Sequence, residues 1–277
     1  MYLSYWGLGE SPFRASLDVR CFHQGLAQEE AIARLHFLVE EHRTLGLLVG
    51  TSGSGKSMLL EVFARQLPRV RTHSALLNVA GVDLHEFLWL AAGRLGVEVS
   101  PHASQFTLAR TVVDHLIANR YQQLSTVLLV DDADEAQEEV LIEVARLAQI
   151  NADRNAQITI VLAAKPSRIG RLGARLLDLA ELRIDVDGWE DDETAAFVKS
   201  SLARAGRSTT VFSEAALARL HEQSGGIPRR VQQLADLALL AGAGQNLGQI
   251  DPELIDSVIH ELGVVTTGGS IVAAAKR

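Results

Sequence analysis

Eight residues, Gly50-Thr51-Ser52-Gly53-Ser54-Gly55-Lys56-Ser57, carry the strongest chemical signal in this sequence. They follow the apolar run Leu45-Gly46-Leu47-Leu48-Val49 and open the helix-like run Met58-Leu59-Leu60-Glu61-Val62-Phe63-Ala64-Arg65. This is the G-x-x-x-x-G-K-[ST] pattern in a strand–loop–helix setting. Glycines let the backbone wrap with its N–H groups turned inward, which makes a nest for phosphate oxygens. The helix that starts near Lys56 adds the positive end of its dipole. Lys56 would neutralise charge on the β- and γ-phosphates, and the Ser57 hydroxyl would ligate Mg²⁺. Gly50 through Met58 are therefore the expected nucleotide-binding set.

A second element lies 75 residues beyond Lys56, at Val130-Asp131-Asp132-Ala133-Asp134. It closes the aliphatic run Thr126-Val127-Leu128-Leu129-Val130, the kind of segment that forms a central parallel strand. Ligands of doubly wound sheets sit at the carboxyl ends of strands. Asp131 is thus placed to hold Mg²⁺, directly or through water. Asp132 could orient or deprotonate an attacking water. A solvated acidic helix start would also use such residues; pairing with the loop upstream favours the metal role. No Asn-Lys-x-Asp stretch follows a strand, so ATP is the expected nucleotide rather than GTP.

These groups need a scaffold, and the apolar pattern supplies one. Strands are expected at 45–49, 75–79, 126–130, 158–162 and 182–186. Helices are expected at 26–42, 56–67, 84–95, 104–120, 136–152 and 168–179. Strands alternating with helices predict an α/β fold of the P-loop type, a parallel sheet with helices on both faces. Residues 1–24 read as irregular. Past Gly188 only helical periodicity remains, over 191–205, 213–224, 228–242 and 251–262, with Ser213 and Asp251 as N-caps. The expected domains are an α/β nucleotide-binding domain at 1–187 with an N-terminal linker, a small all-helical domain at 188–262, and a flexible tail at 263–277.

Composition narrows the function classes. The 277-residue chain has a net charge of −8, which lacks the broad footprint of a nucleic-acid binder. Cys21 is the single cysteine, so no intrachain disulfide can form. No apolar run approaches the ~20 residues that span a bilayer. The start has no secretory pattern. The expectation is a cytoplasmic protein with no direct membrane insertion.

Several segments line up, in order, with a known family. They are Tyr5-Trp6-Gly7-Leu8, Ser11-Pro12-Phe13, the loop, Asp131-Asp132-Ala133, Val161-Leu162-Ala163-Ala164-Lys165-Pro166, Glu193-Thr194-Ala195-Ala196-Phe197-Val198 and Ser224-Gly225-Gly226-Ile227-Pro228-Arg229. Across about residues 1–262 the chain resembles the AAA+ ATPase module of general secretion pathway protein A, the ExeA type, and more distantly the transposition ATPases. The resemblance implies Mg²⁺-ATP bound between the α/β domain and a helical lid. It implies that Pro12 and Phe13 lie near the adenine, where pinning the N-terminus to the core is the equal alternative. It implies that Arg229 reaches the γ-phosphate from the lid, and that Lys165 stands at the position of a polar first sensor.

The sequence departs from that family in three places. The family carries Asp-Glu where this chain has Asp131-Asp132, and the shorter side chain withdraws the carboxylate by one methylene, which predicts slow hydrolysis. The Gln-Arg segment that gives a neighbouring subunit its arginine finger reads Asp178-Leu179; Arg175 is the named substitute, with Arg183 as the other choice. Secretion relatives continue into a membrane span and a wall-binding part, absent from this sequence. The resulting expectation is an ATPase that works as a homo-oligomer on an unidentified protein partner, membrane-associated or not. Two rival readings stand beside it. One is a DNA-linked ATPase, disfavoured by 6 Lys+Arg against 11 Asp+Glu over residues 188–262. The other is a nucleotide-gated scaffold with little turnover.

Overall fold

Aliphatic runs with no polar face can be buried only in the middle of a layered sheet, and the five strands of the sheet pair in parallel. In the computed structural model, which describes residues 2–14, 18–150, 158–207 and 209–266, the strands are β1 (Leu45–Gly50), β2 (Thr72–Asn78), β3 (Ser125–Asp131), β4 (Thr159–Ala164) and β5 (Leu182–Val186). Their order is β2-β3-β4-β1-β5. The register runs Leu45↔Ile160 to Val49↔Ala164 between β1 and β4, and Val127↔Thr159 to Val130↔Leu162 between β3 and β4. The alternating strand β5 lies at an edge, where one face of each residue pair is exposed.

Alternate residues of each strand enter two different cores. Leu45, Leu47 and Val49 with Leu128, Val130, Ile160 and Leu162 pack under α4 (Leu84–Arg94), α5 (Gln105–Tyr121) and α6 (Glu138–Gln149). Leu48, Val127, Leu129, Val161 and Ile184 pack under α2 (Leu26–Glu40) and α3 (Lys56–Gln66). The chain therefore has the three-layer α/β fold with helices on both faces. The stretch expected as one helix over 168–179 is split: a 3-10 segment Pro166–Leu172 precedes α7 (Ala174–Leu179), and Gly173 between them has φ 81°. The expected helix 136–152 begins at Glu138, and its residues 151 and 152 lie outside the described set.

The outer strand β2 is tied to α5 by two histidines. The His73 and His115 rings stack with centroids 5.6 Å apart, and Nδ1 of His73 lies 3.4 Å from Nε2 of His115. Burial holds the His115 imidazole below its ordinary value, and the neighbouring His73 adds to this. In the unfolded chain the same ring titrates near its usual ~6.5. Folding is therefore unopposed above about pH 6.5 and loses stability as pH falls below it, because only the unfolded chain then takes up the proton. Thermal melts from pH 7.5 to 5 are expected to show that loss, and His115→Gln to flatten it; an unchanged slope in the variant would rule the pair out as its source.

The remaining helices form a second compact unit, made of the described residues of Met1–Ser16 and Gly188–Arg277, while Leu17–Asp187 forms the first. It contains α8 (Asp191–Arg204), α9 (Glu214–Ser224), α10 (Pro228–Gly244) and α11 (Pro252–Thr266). Ser213 Oγ accepts from the Ala216 N–H and Asp251 Oδ1 from the Leu254 N–H, so both cap their helices. The N-terminal stretch, expected as an irregular linker of the α/β domain, is instead a short helix α1 (Tyr2–Trp6) that packs with the helical unit. Trp6 Nε1 donates to the Leu239 carbonyl (2.8 Å), Tyr2 Oη to Asp236 (2.8 Å), and Trp6, Leu8 and Phe13 join that core. A five-residue helix is too short to show periodicity and is held by such tertiary contacts. The tail expected from 263 is helical backbone as far as Thr266; residues 267–277 lie outside the described set.

The Gly225-Gly226 pair in the motif before Arg229 has a structural cause. Both glycines have positive φ, +61° and +66°, and end α9. A Cβ on Gly226 would lie 2.0 Å from the Trp189 carbonyl oxygen, whereas one on Gly225 would meet nothing within 4 Å. Gly226→Ala is expected to cost about 2–4 kcal/mol, and Gly225→Ala about 1 kcal/mol. Denaturant titration of the two variants checks this; equal losses would remove the packing explanation.

Candidate functional site

The loop after β1 is shaped by its glycines. Gly50 approaches its neighbours so closely that a Cβ would stand 2.5 Å from Ser54 Oγ and 2.8 Å from the Val186 carbonyl. Gly53 and Gly55 take φ of 86° and 99°, the left-handed region that turns successive N–H groups inward. Gly55 has no side chain to cap α3, so the first N–H groups of that helix stay available. Lys56 is only 7% exposed. Its Nζ donates to the Gly50 carbonyl (2.7 Å) and the Thr51 carbonyl (3.1 Å), using two of its three donors. Burial pushes the ammonium below its ordinary range, while Asp131, Asp132 and Asp134 work against that shift.

The acidic strand end lies within the same electrostatic neighbourhood. Asp131 is 5% exposed, and burial raises its carboxyl above the usual carboxylate range. A hydrogen bond from Ser57 opposes the rise, as does the Lys56 charge, and the Asp132 charge adds to it. Ser57 and Asp131, the two expected Mg²⁺ ligands, are therefore neighbours. Asp132 has φ 53° and ψ 37°, a conformation that Asp tolerates better than most residues. Its Oδ2 accepts from Nδ2 of Asn78, at 2.8 Å. Asn78 ends β2 in register with Asp131. Only its place as a polar residue closing an apolar strand marks it in the sequence.

Lys165 follows β4, the strand between β1 and β3. Its Nζ donates to Glu135 Oε1 at 2.7 Å and lies 3.8 Å from Asp134 Oδ2. Arg168 donates to the same Glu135 oxygen. These cations hold the Glu135 carboxyl below its ordinary range, Lys165 foremost, and Glu135 in turn raises the Lys165 ammonium. Glu135 and Arg168 carry no recognisable spacing in the sequence; the fold alone brings them here.

The donor set fits a phosphate and a divalent cation. Ser54 Oγ and Asp134 Oδ2 are buried with no hydrogen-bond partner, in contrast to the usual pairing of buried polar groups. Lys56 retains a free donor. Asp131 is a desolvated acid that a cation would restore to its charged form. Among the described residues no cluster of three or more His, Cys, Asp or Glu stands ready to hold a metal by itself. That suits Mg²⁺, which uses one or two carboxylates together with phosphate oxygens.

Comparison with known proteins agrees with this geometry. Residues 39–172 match the family described as AAA domain. The chain has the AAA+ P-loop fold. It is similar to General secretion pathway protein A of Aeromonas hydrophila, 26% identical over 274 residues, which is 98% of this chain and 50% of that protein. The chain thus spans about half the length of that relative. Among solved structures, it is similar to the Orc1 protein of Aeropyrum pernix in complex with DNA (16% identity, TM-score 0.67, 87% of this chain and 67% of that one). It is also similar to Cdc6p from Pyrobaculum aerophilum (18% identity, TM-score 0.66, 91% and 70%). At these identities the structural likeness speaks for the fold alone.

The other candidate residues lie apart from the loop in sequence or in unit. Pro12 and Phe13 are buried within the helical unit, and the Phe13 ring packs 6.1 Å from Phe197 and 6.5 Å from Phe212. Arg229 is exposed in the first turn of α10, in that same unit, where the helix dipole disfavours a cation. Arg175 is exposed on α7 and donates to the Gln149 side chain. Arg183 pairs with Asp185 on β5 at 2.7 Å. No helix among the described residues is long and apolar enough to cross a membrane.

Proposed function

We propose that this chain binds Mg²⁺-ATP at Gly50–Met58 and hydrolyses it to drive conformational change or assembly. The desolvated Lys56, folded over its own loop and facing Asp131 and Asp132, carries this reading. The loop N–H groups and Lys56 bind the phosphates. Ser57 and Asp131 hold the Mg²⁺, which neutralises charge on the β- and γ-phosphates. Asp132 orients the attacking water and draws off its proton, and Asn78 fixes the carboxylate that does so. The lid role of Arg229 and the base-side role of Pro12 and Phe13 rest on the family resemblance alone, the finger role of Arg175 is a substitution for the segment where the chain departs from that family, and each is testable by substitution to Ala. Binding of labelled ATP with Mg²⁺, followed by phosphate release, tests the function. Binding without release would favour the second reading, a nucleotide-gated scaffold, for which the short Asp132 is the specific observation.

We infer a cytoplasmic role on a protein partner, membrane-associated or not; the likeness to half of a secretion-pathway protein supports a place in secretion. A catalytic arginine from a neighbouring copy requires assembly, so ATP should promote homo-oligomers. Static light scattering is expected to show the mass at least doubling when Mg²⁺-ATP is added. A monomer with and without nucleotide at high protein concentration would overturn this.

A further inference from the structure

One carboxylate oxygen in this molecule serves two cations. Glu135 Oε1 accepts from Lys165 Nζ at 2.7 Å and from Nη1 of Arg168. The arrangement follows from the chain path. Glu135 closes the 3-10 turn after β3, and Arg168 lies on the turn after β4, where its N–H bonds the Lys165 carbonyl at 3.0 Å. Lys165 stands at the carboxyl end of β4. Continuing the β1–β4 register, it comes beside Gly50, and its N–H reaches Asp134 in the turn after β3. Its charge is felt at Lys56. The ammonium therefore waits at the rim of the phosphate loop, on the side of the acidic strand end, bound to a carboxylate that already has another partner.

A carboxylate with one cation holds it with its whole charge, through a charge-assisted hydrogen bond. A carboxylate with two can release one at small cost. We propose that Glu135 and Arg168 are positioning residues for Lys165. Glu135 stores the ammonium beside the loop, and Arg168 keeps Glu135 paired when Lys165 transfers to the terminal phosphate of ATP. Asp134 supports the exchange: its Oδ1 accepts from the Lys165 N–H at 3.3 Å and anchors the backbone while the side chain moves. Neither Glu135 nor Arg168 need touch the nucleotide. The inference rests on the ATP reading above and adds to it a device that separates ATP from ADP, since only the terminal phosphate draws Lys165 away.

The test compares Mg²⁺-ATP and Mg²⁺-ADP affinities by calorimetry across a small set of variants. Arg168→Gln is expected to weaken ATP about five- to tenfold, as a charged hydrogen bond becomes harder to exchange, with ADP unchanged. Arg168→Lys keeps a second cation on Glu135 and should behave as wild type. Adding Glu135→Gln to Arg168→Gln leaves Lys165 only its longer contact with Asp134 and should restore ATP affinity. In a Lys165→Gln background, Arg168→Gln should be silent. A loss that persists in that background, or one that affects ADP equally, makes Arg168 a general charge or a fold element and overturns the proposal. So does an Arg168→Gln variant that binds ATP as wild type does. If the wild-type chain fails to bind ATP at all, the nucleotide reading itself falls, and the proposal with it.

Discussion

Lys56→Ala is expected to weaken Mg²⁺-ATP binding by about a hundredfold or more, while the melting temperature moves by only a few degrees. The two effects separate because Lys56 contributes to them differently. Towards the nucleotide, the ammonium has one free donor and can exchange a loop carbonyl for a second phosphate oxygen; such charge-assisted bonds are worth about 1.5–3 kcal/mol each, and two of them give the stated loss. Towards the fold, the same ammonium is held below its ordinary pKa by burial, so its removal relieves a desolvation cost. What is lost is two hydrogen bonds to the carbonyls of Gly50 and Thr51, which water can reach from the exposed tip at Thr51 and Ser52. Calorimetric titration with Mg²⁺-ATP, beside a thermal melt of the same sample, reads both. Wild-type affinity in the variant would remove the loop from the binding site. A collapsed melt would make Lys56 a structural residue first, and Lys56→Met, which keeps the buried methylenes, would then carry the test.

The sheet was legible because its strands are long aliphatic runs, and such segments have one stable place in an α/β layer. Leu45–Val49 and Thr126–Val130 could be read without any partner in view, because both of their faces are buried. The positions of the candidate residues Lys56, Ser57, Asp131 and Asp132 were legible too, the first pair at the start of α3 after the glycine loop and the second at the end of β3. Illegible were the residues that act on these. Asn78 reaches Asp132 only because β2 and β3 are neighbours, 54 residues apart in sequence. Glu135 meets Lys165 and Arg168 across 30 and 33 residues, through the pairing of β3 with β4. No local spacing encodes such contacts. The helix Tyr2–Trp6 was missed for the same reason: its anchors, Leu239 and Asp236, lie at the far end of the chain. The break at Gly173 was missed because an isolated glycine in a helical pattern is more often tolerated than not.

The second large effect concerns turnover. Asp132→Glu is expected to speed ATP hydrolysis by about tenfold to a hundredfold, and Asp132→Asn to reduce it to background, with ATP affinity in both within a few-fold of wild type. Asp132 occupies a left-handed backbone conformation and presents its carboxylate on a short stem, with Oδ2 held by Asn78 at 2.8 Å. One added methylene moves the carboxylate forward by a bond length, and near-attack geometry is sensitive to displacements of that size. The gain appears in the rate and not in affinity, because the group acts on a water that becomes a nucleophile only in the transition state. Glu fits this backbone less readily than Asp, so a stability loss of about 0.5–1 kcal/mol should accompany the faster rate. Asn keeps shape and size but accepts no proton, which isolates the base role from the positional one. Asn78→Ala should then slow wild type more than Asp132→Glu, since a longer side chain depends less on that single hydrogen bond for its aim. Phosphate release under saturating Mg²⁺-ATP reads all five proteins, the double variant included. If the Glu and Asn variants turn over at the wild-type rate, Asp132 is not the water-orienting group. The contact with Asn78 would then be structural, and Asp134 or Glu135 would be the next carboxylate to substitute.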